Sequence, residues 1–130
     1  GGYTPELTSD VWSSDDGIGW QRAGAVPTEA GINVPAAFSL AGRMWVSAND
    51  GALFSSPDGR AWTLELARPP WGGRYCAGCT VHDGRAWVLG GMREGMAYND
   101  VWSSANGRDW VEETPSAPWS NPFSGRRTAR

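Results

Sequence analysis

Apolar and polar residues alternate along this chain in short runs, and no stretch keeps a helical period. Trp62-Thr63-Leu64-Glu65-Leu66 shows the alternation most plainly, the pattern of a strand with one face buried. Arg85-Ala86-Trp87-Val88-Leu89 is a second β-prone run, ended by Gly90-Gly91. Ala37-Phe38-Ser39-Leu40 and Cys79-Thr80-Val81-His82 read as further strands, closed by the turns Ala41-Gly42 and Asp83-Gly84. Asp16-Gly17, Asp58-Gly59 and Asn106-Gly107 are read as structural hairpin turns, because tight turns need positive φ and glycine supplies it without a Cβ clash. The pattern predicts an all-β chain of short antiparallel strands.

The runs repeat. A shift of 42 residues carries Trp20 to Trp62, Asp16-Gly17 to Asp58-Gly59, Gly42-Arg43 to Gly84-Arg85 and Trp45 to Trp87. A further 48 carry Trp62 to Trp110, Phe54 to Trp102 and Asp58-Gly59 to Asn106-Gly107. The six extra residues fall between Leu89 and Val101, in a segment read as a polar surface loop from Gly91 to Asn99. Each unit holds four strands in about 45 residues, the arrangement of a propeller blade. Boundaries follow: residues 1–26 end one blade, 27–69 form a second, 70–118 a third, and 119–130 start another, all within one domain.

Arg74 to Trp110, with Asp83-Gly84, Trp87, Gly90-Gly91, Asn99-Asp100-Val101-Trp102 and Trp110, resembles a kelch repeat of the galactose-oxidase-like β-propeller family. Gly1-Gly2 with Asp10-Val11-Trp12 and Trp20 fits the same pattern, entered part-way. The middle unit departs from it, with Ala48-Asn49 in place of the double glycine and Ile32 in place of Arg74. Its turn Ser56-Pro57-Asp58-Gly59-Arg60-Ala61-Trp62 is also similar to an Asp-box of sialidase-type propellers, one residue shorter. The resemblance implies a partial β-propeller of four-stranded antiparallel kelch-like blades, under three in number. Closed propellers have about four to eight. The remaining blades are therefore expected from a longer chain of its own, or from self-association.

Composition narrows the chemistry. The 11 basic residues, all arginine, face 14 carboxylates, a net charge of −3 that argues against nucleic-acid binding. No apolar run approaches the roughly 20 residues of a membrane-spanning helix, and no membrane insertion is expected. Cys76 and Cys79 form a lone CxxC, read as small core residues pointing to opposite faces of one strand; no metal site and no cofactor is expected. One histidine, His82, cannot supply a copper oxidase's ligands, and no nucleophile elbow accompanies it. No catalytic residue is assigned.

Binding fares better. The tryptophans Trp12, Trp20, Trp45, Trp62, Trp87, Trp102 and Trp110 recur at matched positions and are assigned to packing between blades. Trp71 and Trp119 instead sit in Pro-rich links, where a ring either stacks on a sugar or peptide or plugs the gap between blades. Arg74 is placed to anchor neighbouring backbone or a carboxylate, and joins the candidate binding residues with Arg93, Glu94 and Tyr98 of the longest loop. The expected function is a non-catalytic module presenting loops to a protein or carbohydrate. The alternative is a segment of a propeller enzyme, glycan-active or oxidase-like, whose catalytic residues lie mostly elsewhere. A secreted or cell-surface setting is slightly favoured over the cytoplasm.

Overall fold

A computed structural model describes residues 2, 3 and 5–119, the first two by backbone alone. Of the segment 119–130 read as the start of another unit, only Trp119 is among them. Among the described residues every regular element is a strand. In order these are β1 (Gly2–Tyr3), β2 (Leu7–Thr8), β3 (Asp10–Ser13), β4 (Gln21–Ala25), β5 (Ala37–Leu40) and β6 (Arg43–Ser47). There follow β7 (Leu53–Ser56), β8 (Thr63–Leu66), β9 (Gly78–His82), β10 (Arg85–Arg93), β11 (Met96–Ser104) and β12 (Val111–Thr114). Strands β5 to β8 form one four-stranded antiparallel sheet in sequence order, and β9 to β12 form another. The pairs β1–β2 and β3–β4 make two smaller sheets ahead of them. The chain is thus all-β, built on blade-like four-stranded sheets.

The repeat is visible in register. Trp45 pairs with Phe38 and Ser55 as Trp87 pairs with Thr80 and Ser103. Each third strand also slips by one residue against its fourth, at Leu53/Phe54, Val101/Trp102 and Val11/Trp12. Ala41-Gly42 and Asp83-Gly84 are two-residue turns with positive φ at both positions, the twist that closes a right-handed hairpin.

The Asx-Gly turns between third and fourth strands lie within longer loops, such as the one from Ser14 to Trp20. Two expectations are corrected. Gly90-Gly91 does not end its strand. It makes a bulge through which β10 continues, and a Cβ on Gly90 would stand 2.9 Å from the Tyr98 carbonyl oxygen. The stretch Gly91 to Asn99 is accordingly no open loop: it is an extension of the β10–β11 hairpin, turned at Glu94-Gly95 with φ of 52° and 74°.

The β5–β8 and β9–β12 sheets, called the second and third sheets after their repeats, stack face to face. Phe38, Leu40, Trp45 and Leu53 of one share a buried cluster with Ala86 and Val88 of the other, and Trp71 of the link completes it. Trp110 meets Phe38 and Trp71 edge-on, at 6.0 and 5.6 Å between ring centroids. Gly107 is a requirement of that contact, since a Cβ there would lie 2.5 Å from the Trp45 ring. A second cluster of Val26, Ile32, Val46, Ala48, Ala52 and Phe54 packs the second sheet toward β3, where Val11 touches it.

Candidate functional site

The loops between third and fourth strands look like the obvious place for carboxylate chemistry, and their hydrogen bonds explain them otherwise. Ser14 Oγ accepts from the Gly17 backbone N–H at 2.8 Å, and Asp16 Oδ1 accepts from those of Ile18 and Gly19, both at 2.8 Å. Trp20 Nε1 donates back to the Gly17 carbonyl at 3.1 Å. The same lattice recurs around Ser56, Asp58 and Trp62, and around Ser104, Asn106 and Trp110. Bonds from backbone N–H groups hold the Asp16 and Asp58 carboxyls below their usual range, and Oδ1 of each is committed to its own loop. The serine two places before the Asx was missed in the sequence, although it stands in all three copies.

A different cluster forms where the links and the β10–β11 extension meet. Arg74 is buried and donates through Nε to the Trp71 carbonyl at 2.6 Å and through Nη1 to that of Gly90 at 3.1 Å. Nη1 and Nη2 clamp the two oxygens of Asp100, the latter at 2.7 Å. Trp102 Nε1 donates to the same carboxylate at 2.7 Å. Burial pushes the Asp100 pKa up, but these charged and neutral donors outweigh it and leave the group below its ordinary value. The guanidinium also lies 4.3 Å from the Tyr98 ring centroid, and Arg93 approaches that ring at 5.9 Å. Arg74 is therefore an anchor, as one expectation had it, with no free side to offer a partner at Asp100.

The other candidates separate. Arg93 and Glu94 are exposed at the hairpin tip, and Tyr98 is half-buried beneath them. Trp71 is 1% exposed, so its ring fills the gap between sheets and offers no surface for stacking. Its Nε1 is, among the described residues, the one buried side-chain donor without a hydrogen-bond partner. Trp119, reached through a link that Asn99 fixes by binding the Ser116 hydroxyl and the Ala117 carbonyl, is 47% exposed. Trp12 and Trp20, expected between blades, are also half or more exposed. The second and third sheets cover their counterparts, and nothing among the described residues covers these.

Cysteine needs one more correction. Cys76 precedes β9, has a φ of 57° and is exposed, so it is no core residue. Cys79 packs against the core, and burial pushes its thiol up to about 11. Among the described residues no three His, Cys, Asp or Glu side chains lie close enough to share a metal ion.

Two hollows remain. A pocket of about 280 Å³ is lined by Leu7 of β2, Asn33, Asn49, Arg74 and Tyr75. Three segments of the chain converge there. Asn49 takes the Asn33 backbone N–H at 2.9 Å and donates to the Ala30 carbonyl at 3.0 Å, which sets the pocket floor. The larger cleft, about 650 Å³, runs between β3 and the outer side of β5 and β6, with Val11, Met44 and Val46 on its walls. Its lining is mostly apolar, with Asp10 and Ser39 among the residues on its edge. The smaller pocket, with the adjoining Arg93–Tyr98 hairpin, is the candidate site. Fold and site together define an all-β, repeat-built protein with a small pocket where successive repeats meet. The chain matches no family model, and no curated protein is significantly similar to it.

Proposed function

We propose that the chain is a kelch-like β-propeller segment that binds without doing chemistry, taking a carbohydrate or a protein loop at the rim pocket. The supporting observation is the meeting of Asn33 and Asn49 of one repeat with Arg74 and Tyr75 of the next around one hollow. The Asn33 amide beside the exposed Tyr75 ring suits a polyhydroxylated ligand: a hydrogen bond fixes its orientation while the ring covers an apolar face. Tyr75 is held in place by reciprocal backbone hydrogen bonds with Met92, at 3.0 and 2.9 Å, so the extended hairpin positions it. The remaining blades are supplied in this reading by more of the same repeat.

A glycan array probed with the whole chain tests the proposal. Binding that falls at least about tenfold for Tyr75→Ala and for Asn33→Ala, with unchanged circular dichroism, is the expected result; each change removes about one specific contact. Retained binding in both variants, or no ligand on glycan and peptide arrays alike, would contradict it.

A further inference from the structure

The contact between the second and third sheets carries a charge pair that the third sheet repeats in half. In the second sheet Arg43 Nε donates to Ser55 Oγ, whose hydroxyl donates to Glu65 Oε1. The other carboxylate oxygen, Oε2, receives Arg108 Nε from the third sheet's loop at 2.7 Å. The Arg108 guanidinium also lies 5.6 Å from the Trp45 ring centroid, beside Gly107. Position for position, the third sheet rebuilds the acceptor. Arg85 donates to Ser103 at 3.2 and 2.7 Å, Ser103 donates to Glu113 Oε1, and Trp87 stands where Trp45 does. Even the indole bond recurs, to the Leu40 carbonyl from Trp45 and to the His82 carbonyl from Trp87. Only a second cation, from a following loop, is missing: Arg85 Nη2 approaches Glu113 Oε1 at 3.9 Å, but no described residue donates to Oε2. The Glu65 side chain is 8% exposed and that of Glu113 is 38%.

We infer that the face of the third sheet centred on Trp87 and Glu113 docks a further four-stranded sheet of the same repeat whose third-to-fourth loop carries arginine after its Asx-Gly pair. That arginine takes Glu113 Oε2 and covers Trp87, while the glycine before it lets the loop backbone approach the ring. A second copy of the chain is a poorer occupant. Its first unit presents Ile18 at the place of Arg108, which gives Glu113 Oε2 no donor. The inference uses the repeat as a packing unit and is independent of any ligand at the rim pocket.

The test lengthens the whole chain by inserting a second copy of residues 70–118 after Pro118, so that its counterpart of Arg108 faces Glu113. Hydrogen exchange of the Trp87 indole N–H is read by NMR. Exchange slowed about tenfold or more is expected, the scale of one charge-assisted hydrogen bond. Glu113→Arg alone, or the inserted arginine changed to Glu alone, should reverse the slowing, and the two together should restore it. Unchanged exchange, or no restoration by the charge swap, would overturn the inference. So would an inserted copy that stays unfolded beside an intact original, because the face then has no affinity for the sheet said to fit it. Concentration-dependent protection of Trp87 in the unlengthened chain would assign the face to a second copy instead.

Discussion

Arg74 and Asp100 show how much one residue pair determines here. Both side chains are at least nine-tenths buried, and the pair ties the link before β9 to the middle of β11, beside the Gly90 bulge of β10. Removing one partner strands a charge in the interior, so Asp100→Ala should cost about 3 kcal/mol in urea unfolding. The pH dependence has a definite sign. Asp100 is held below its ordinary pKa in the folded chain, so the unfolded chain binds more protons on acidification. Its contribution is complete above the usual carboxylate range and fades as pH falls through the folded value. The stability gap between the native chain and Asp100→Asn should therefore be wide at neutral pH and shrink on acidification below the ordinary carboxylate range. The sequence showed Arg74 as an anchor but left its carboxylate unnamed. Asp100 was quoted only as part of a motif, since 26 residues separate the two and no local spacing joins them.

Elements were legible wherever local chemistry decides them. Both two-residue turns and the strands flanking them follow from alternation and glycine placement. The β10–β11 extension does not, for its strands carry Gly90-Gly91-Met92 and Ala97-Tyr98-Asn99 with no alternation to read, and Glu94-Gly95 is a turn without Asn or Asp. Long-range contacts hold it instead: the Tyr75–Met92 pairing on one side and two guanidinium groups around Tyr98 on the other. The loop glycines separate local from tertiary demands. Gly17 and Gly107 share a φ near 76–79°, yet a Cβ meets nothing within 4 Å at Gly17 and meets Trp45 at 2.5 Å at Gly107. Gly17→Ala should cost about 1 kcal/mol, the left-handed backbone penalty alone. Gly107→Ala should cost about 2 kcal/mol more, as an overpacked contact between sheets. Thermal unfolding of the two variants measures the difference.

Across the whole molecule, burial follows neighbours more than sequence. Trp71 and Trp119 occupy similar Pro-Trp links, and one is enclosed by two sheets while the other stands open. Nothing local distinguishes them, which is why the sequence offered both as ligand platforms. Trp71→Ala should accordingly destabilise by about 4 kcal/mol, and Trp119→Ala by less than about 0.5 kcal/mol, when both are unfolded in urea. The central claim is that successive four-stranded sheets stack through the Trp45–Gly107 contact. The proton chemical shift of Gly107 tests it most directly, because the α-hydrogen in the place of a side chain points at the Trp45 ring. That resonance should lie far upfield of its counterpart at Gly17 and return to an ordinary glycine position in Trp45→Leu. An unshifted Gly107 in the native chain would mean that the two sheets do not meet in this way.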